Sequence, residues 1–250
     1  METPPQSENV SYRRVRRPDP ALVARAARIP VSDLYEVLPA ELRDAALMSQ
    51  RMRPLMLGIR IAGPAVTARC APRDNLMMHK ALHIAAAGDV LVVDGGEPSG
   101  AQWGTLAALY AERKGLAGVV VEGCIRDADE LAARRYPVWS TAISPAHPGK
   151  HGAGAVNVPI RCGGVLVHPG DVICADGDGV LVLPPAALAA AVEQGERRMA
   201  HEDEAAAAIA AGKSLFELHD LDRAFKASGV AERDAHWGDA PDAEPDQRLT

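Results

Sequence analysis

Arg126 and Asp127 follow an apolar run, Leu116 to Glu122, and a short loop, 123–126. A charged pair just past a buried strand stands where open α/β sheets bind ligands. A structural reading competes, because Asp127 is a good helix N-cap and Glu130, three residues on, completes a capping box. A second position lies at Gly95-Gly-Glu-Pro-Ser-Gly100, followed by Trp103-Gly-Thr-Leu106. Free backbone N–H groups at a helix start carry partial positive charge and hold carboxylates or phosphates. The segment has neither the Gly-Lys-Ser/Thr of a phosphate loop nor the Gly-x-Gly-x-x-Gly of a dinucleotide fold, so anion site and plain βα turn both stay open. His79 and His83 are spaced to share a helix face, but Lys80 stands where a zinc protease needs Glu, and the pair reads as structural. Asp176-Gly-Asp178-Gly179 opens like a calcium loop, yet its twelfth position is Ala187, and a tight turn is the better reading. The five lysines, Lys80, Lys114, Lys150, Lys213 and Lys226, all lie outside the apolar runs. Schiff-base chemistry needs a desolvated lysine, so carbonyl chemistry here calls for a metal instead.

The elements that must position these residues follow from pattern. Segments 19–27 and 31–37 read as helical, and Met56 to Arg69 as strand, interrupted at Gly63-Pro64. Asn75 to Ala87 reads as helix. Two βα units follow: strand Asp89 to Asp94 with helix Trp103 to Lys114, then strand Leu116 to Glu122 with helix Asp127 to Arg135. Continuously apolar strands separated by helices imply a buried, largely parallel sheet. Beyond Pro137, short strands are expected over 138–143, 154–160, 164–167, 171–175 and 180–183, forming an antiparallel or mixed layer. Pro184 to Ala211 reads as one long helix. The expected organisation is a flexible arm over 1–18, a single α/β domain over 19–228 and an acidic, loose tail over 229–250.

Aromatic residues are only 4% of the chain, so the core must come from Ala, Val, Leu and Ile. A net charge of −6 argues against a general nucleic-acid binder. The stretch Arg13, Arg14, Arg16, Arg17 is read as a solvated arm. No apolar run is long enough to span a bilayer, and no leader pattern opens the chain, so a cytoplasmic protein is expected. Four scattered cysteines without a Cys-x-x-Cys pair agree with that setting.

From about Ser32 to Leu218 the chain resembles the 4-hydroxy-4-methyl-2-oxoglutarate / 4-carboxy-4-hydroxy-2-oxoadipate aldolases, a group that also holds the regulator-of-ribonuclease-activity A proteins. The resemblance is carried by Gly63-Pro-Ala-Val-Thr67, Gly88-Asp-Val-Leu-Val-Val-Asp94 and Gly118-Val-Val-Val-Glu-Gly-Cys-Ile-Arg-Asp127. Pro169-Gly-Asp171 and Asp176-Gly-Asp-Gly-Val-Leu-Val-Leu-Pro184 complete it, while Ala155-Val-Asn-Val-Pro159 with Cys162-Gly-Gly looks closer to the oxoadipate branch. It implies an α/β fold, an αββα sandwich of the swivelling β/β/α type with mixed sheets and a C-terminal helical region. It also implies trimers or hexamers with sites between subunits. By the resemblance Asp127 coordinates Mg²⁺ or Mn²⁺, and Arg126 binds the pyruvyl C2 oxygen. Backbone amides near Gly104, Thr105 and Leu106 receive the substrate carboxylate. An acidic residue from the neighbouring subunit is expected in the C-terminal helical region, with Glu202 first and Glu204 second.

The implied activity is divalent-metal-dependent (class II) aldol cleavage of a 4-hydroxy-2-oxo diacid to pyruvate and a second oxo acid. Oxaloacetate decarboxylation is an expected side reaction, since both leave a pyruvate enolate. The partners implied are a small oxo-acid substrate and further copies of the chain, with no nucleic acid and no membrane. One departure stands out. The family motif places an Asp, often Glu, twenty intervening residues before the arginine, and here that position is Thr105. A hydroxyl can orient a water but cannot act as a carboxylate base. Two rivals are carried alongside: a non-catalytic regulator of RNA processing, and a lyase on an unrelated sugar acid.

Overall fold

The runs Val90 to Val93 and Val119 to Val121 have no polar face, so strands made from them must be covered on both sides. The computed structural model describes residues 9–96 and 100–236. Of the expectations above, residues 1–8 of the arm, 97–99 of the glycine turn and 237–250 of the tail lie outside that range. The chain divides into two compact units, Met1–Met199 and Ala200–Thr250.

The first unit opens with helices α1 (Pro20–Ala26), α2 (Val31–Glu36) and α3 (Ala40–Ala46). Strands β1 (Arg53–Pro54) and β2 (Ile61–Arg69) lead to α4 (Leu76–Ile84). Then come β3 (Val90–Asp94), β4 (Ala101–Trp103), α5 (Thr105–Lys114), β5 (Gly118–Ile125), α6 (Ala128–Arg134) and β6 (Val138–Ile143). Short strands follow: β7 (Ala155–Val156), β8 (Ile160–Cys162), β9 (Val165–Val167), β10 (Val172–Ala175) and β11 (Val180–Leu183). Helix α7 (Pro185–Ala210) begins in this unit and continues into the second, which adds α8 (Leu215–Leu218) and α9 (Leu221–Ala227).

Strands β6, β5, β3 and β2 are parallel neighbours in that order, and β10 and β11 continue the sheet antiparallel from β2. Period-two alternation then sorts the side chains. Leu91, Val93, Val119 and Val121 face Met78, Leu82, Ala108 and Leu131 of α4, α5 and α6. Val90, Val92 and Val120 face Ile160, Val165 and Val167 of the β8–β9 hairpin, together with Ile173, Val180 and Val182. The far side of β10 and β11, at Cys174, Leu181 and Leu183, packs on Val23, Leu34, Leu188 and Val192 of α1, α2 and α7. Helix, sheet, sheet and helix thus stack in the αββα order, with the mixed strand directions expected.

Several local expectations need revision. Gly63-Pro64 does not interrupt β2, because pairing with β3 begins only at Ala65, so the N–H that Pro64 lacks is not required there. Gly63 is needed for space, since a Cβ would fall 2.3 Å from the Gly88 carbonyl oxygen. Met56 to Arg60, read as part of this strand, is irregular. Ala101 to Trp103 forms a strand that pairs with β5, so the helix read from Trp103 starts at Thr105. The described part of the expected arm lies along the sheet: Tyr12 N donates to Val156 O at 3.0 Å, and Val156 N to Val10 O at 2.9 Å. Arg17, read as solvated, is paired bidentately with the fully buried Asp89 at 2.8 and 2.7 Å. Burying that carboxylate without its partner would cost several kcal/mol, about 3–5 by analogy with broken buried pairs. All four cysteines are buried and free. Among the described residues no helix is long and apolar enough to cross a membrane.

Candidate active site

The C-terminal ends of β4 and β5 bring two helix starts together. Trp103 pairs with Ile125, and Arg126 N donates to Trp103 O at 2.9 Å, so Gly104-Thr105 and Arg126-Asp127 lie side by side. Asp127 occupies the left-handed region, with φ 57° and ψ 41°, and its side chain gives no cap to its own helix. The capping-box reading of Asp127 and Glu130 is therefore corrected. The carboxylate turns instead to the neighbouring helix, where Oδ2 accepts from Thr105 N at 3.0 Å. Helix α5 has a glycine at its N-cap and needs such a donor-satisfying oxygen from outside. A left-handed non-glycine costs about 1–3 kcal/mol, and a cap returns about 1 kcal/mol, so part of the strain is left in place at this residue.

The helix start read as an anion site thus holds an anion, and the anion is the chain's own Asp127. Thr105 N is committed to it. The first intrahelical bond at this end is Ala108 N to Gly104 O, which leaves the N–H groups of Leu106 and Ala107 without an intrahelical acceptor. Both residues line a cleft of about 110 Å³, with Gly104, Gln102, Asn75 and Arg126. The Thr105 hydroxyl is buried without a partner, and Thr105 is not among the cleft residues. Gly104 makes the meeting possible: an added Cβ would fall 2.6 Å from Asp127 Oδ2 and 3.1 Å from Arg126 Cγ. We expect Gly104→Ala to destabilise the protein by about 1–3 kcal/mol through overpacking, measured by urea unfolding. An unchanged midpoint would mean that the carboxylate moves aside freely.

Arg126 is half-exposed, with Nε 3.7 Å from Asp127 Oδ2 and Nη1 3.5 Å from His147 Nδ1. His79, His147 and Lys150 complete the basic lining. Burial pushes the His79 imidazole below its usual value, and nearby Lys150 pushes it further, with Asp74 opposing. Asn75 and Gln102 spend their amide donors on Gln102 O and Asp74 O, leaving buried, unpaired carbonyl oxygens beside the cleft.

Sequence reasoning placed Arg126, Gly104 and Leu106, and the structure brings them together. It missed His147, Lys150, Asn75 and Gln102, which reach the site from other segments; only the helix-start position of Asn75 gave any local hint. His79 lines the cleft while His83 is exposed, so the two do not converge. The Asp176 carboxylate is taken by Val31 N, Asp178 N and Arg60, as a turn and not a calcium loop requires. Glu202 and Glu204 lie on the part of α7 that belongs to the second unit.

The chain is thus a mixed αββα protein with a basic cleft at its strand ends, lined by Arg126, which pairs with Asp127. The RraA-like family pattern, described as Aldolase/RraA, matches residues 31–182, and the chain belongs to that family. A Halalkalibacterium halodurans protein named "putative 4-hydroxy-4-methyl-2-oxoglutarate aldolase" is 36% identical over 157 residues, covering 62% of this chain and 75% of the relative. A Burkholderia mallei protein of the same name is 46% identical over 131 residues, covering 52% and 78%. The crystal structure of Streptomyces coelicolor RraAS2, titled an unusual member of the RNase ES inhibitor RraA protein family, is similar with a TM-score of 0.67. That match has 32% identity and covers 76% of this chain and 98% of that one.

Proposed function

We propose that this chain is a pyruvate-forming carbon–carbon lyase, a class II aldolase acting on a 4-hydroxy-2-oxo diacid, with oxaloacetate decarboxylation as a side activity. The observation that carries it is the Arg126-Asp127 pair, set 3.7 Å apart at the strand end beside the free amides of Leu106 and Ala107. The aldolase names of the two relatives support the same reading.

The residues fit a hard divalent cation. Among the described residues no group of three or more His, Cys, Asp or Glu converges, which rules out a closed cage built from them. Mg²⁺ and similar ions are held by one or two carboxylates together with substrate oxygens, and Asp127, one-third exposed, offers such a carboxylate. Mg²⁺ or Mn²⁺ bound there would supply Lewis acidity at the 2-oxo oxygen.

The chain's own groups then divide the work. The amides of Leu106 and Ala107 hold the 1-carboxylate, as N–H groups at a helix start do. Breaking the C3–C4 bond sends its electron pair toward the C2 oxygen, where the Arg126 guanidinium stabilises the growing negative charge. Lys150 adds positive charge for a second carboxylate, and His147 lines the same wall, so a diacid fits better than a monoacid. The 4-hydroxyl proton passes to solvent water as the C4 carbonyl forms, and C3 of the enolate takes a proton back from water to give pyruvate; Thr105, whose hydroxyl is enclosed, gives little help.

Pyruvate release by the purified chain from oxaloacetate and from a 4-hydroxy-2-oxo diacid tests the proposal. Absence of both reactions would favour the rival, a binding protein like the ribonuclease-inhibitor relative. Release from a sugar acid alone would favour the other lyase reading. The proposal includes a shared site, in which Glu202 of a neighbouring copy would help Asp127 hold the cation in a trimer or hexamer. Sedimentation is expected to find activity only in the oligomer, and a fully active monomer would contradict it.

A further inference from the structure

One wall of the cleft is made by residues 144–152, which carry His147, Pro148 and Lys150. A segment of this kind holds its side chains in place only through fastenings along its backbone. Ala101 N donates to Ala146 O at 2.9 Å, Gly149 N to Arg73 O at 2.7 Å, and Asn75 N to Gly149 O at 3.1 Å. One side chain joins them. Asp74 Oδ2 accepts from His151 N at 2.6 Å, Oδ1 accepts from Leu76 N at 2.8 Å, and Gly152 N also donates to this carboxylate.

Leu76 opens α4, whose N-cap Asn75 supplies no side-chain cap. A single carboxylate therefore caps the helix carrying His79 and holds the segment carrying His147 and Lys150. The fit is close: a Cβ on Gly152 would fall 2.8 Å from Asp74 Cγ, and one on Gly149 would fall 3.0 Å from Asp74 Oδ2. Asp74 is 6% exposed and does not itself line the cleft. Burial alone would raise its pKa, but the donors from Leu76, Gly152 and His151 outweigh burial and hold it below the ordinary value.

We propose that Asp74 is a positioning residue for the lyase reaction, fixing the His147–Lys150 wall against α4 so that both walls meet the far carboxylate of the substrate together. The role rests on the lyase reading of the cleft. A wall that holds the remote part of a substrate equally in ground and transition states sets KM more than kcat.

The test uses the full chain with Mg²⁺ present and oxaloacetate as the probe. Asp74→Asn replaces one accepting oxygen by a donor facing backbone N–H groups. Its KM is expected to rise about tenfold to a hundredfold, with kcat within about threefold of wild type. Amide hydrogen exchange at His151 and Gly152 is expected to quicken at least about tenfold, while the amides of β3 and β5 stay protected. Asp74→Glu keeps the charge one methylene away; it should fall between the two, and it serves alone if the asparagine variant does not fold. Unchanged exchange at His151 and Gly152 overturns the proposal, and so does faster exchange with an unmoved KM. If wild type binds oxaloacetate but releases no pyruvate, the lyase reading fails, and Kd replaces KM in the same comparison. If wild type does neither, both ideas are overturned.

Discussion

Replacing Arg126 by alanine is expected to lower kcat for pyruvate formation about 10²- to 10³-fold, the usual cost of removing a donor aimed at developing negative charge. The guanidinium stands at the end of β5 with Asp127 on one side and His147 on the other, and its backbone is fixed by the bond from Arg126 N to Trp103 O. Nothing in the core depends on it, since it is half-exposed, so the fold should be intact by circular dichroism. Arg126→Lys should recover little. A lysine places a point charge where a planar fork is needed to span the substrate oxygen and the Asp127 side at once. Near-wild-type kinetics for Arg126→Ala would move the residue out of the chemistry and leave Asp127 without its partner in the mechanism.

Thr105→Asp should act in the opposite direction. Thr105 is the first residue of α5, its amide is bound by Asp127, and its hydroxyl is buried and unpaired. An aspartate there would sit beside Asp127 at the positive end of the helix, where negative charge is favoured. Like charge from Asp127 would also raise its pKa toward the range of a useful base. Cleavage of a 4-hydroxy-2-oxo diacid needs a proton taken from the 4-hydroxyl; oxaloacetate decarboxylation does not. Aldol cleavage is therefore expected to rise by about tenfold to several thousandfold, with general-base assistance partly restored. Decarboxylation should change much less, and the natural chain should show a high ratio of decarboxylase to aldolase activity. Equal gains in both would assign the position to cation or carboxylate binding. No gain in either would make Thr105 a bystander.

The parts of this protein that could be read from sequence are those set by local pattern. The runs behind β3 and β5 carry no polar face, and burial on both sides follows directly. The long α7 announces itself by length and alanine content. Legibility fails where a distant partner decides. β4 is three residues long, and only pairing with β5 makes Ala101–Trp103 a strand. Pro64 looks like a break until the β3 register shows that its missing N–H lies off the ladder. Arg17 reads as one of four solvated arginines, and nothing nearby in the chain reveals Asp89, 72 residues on. The short helices α3, α8 and α9 had too few residues to show a period.

The site divides in the same way. Arg126 and Gly104 could be found because a strand end followed by a helix start is a local event. Asp127 was ambiguous for a physical reason: aspartate is both a good N-cap and one of the few residues that tolerate the left-handed region. Only the backbone angle decides between the two, and it turns the carboxylate toward Thr105. His147 and Lys150 were invisible because their place at the cleft depends on backbone bonds to Arg73 and Asn75 and on the Asp74 carboxylate, some seventy positions earlier.

The central claim, that Asp127 serves pyruvate-forming chemistry with a divalent cation, is tested most directly by following pyruvate release from oxaloacetate in excess chelator. The expected result is loss of activity, restored by Mg²⁺ or Mn²⁺ in the wild type and not in Asp127→Asn. Activity that persists in excess chelator, or that borohydride traps as a covalent adduct, would contradict the account.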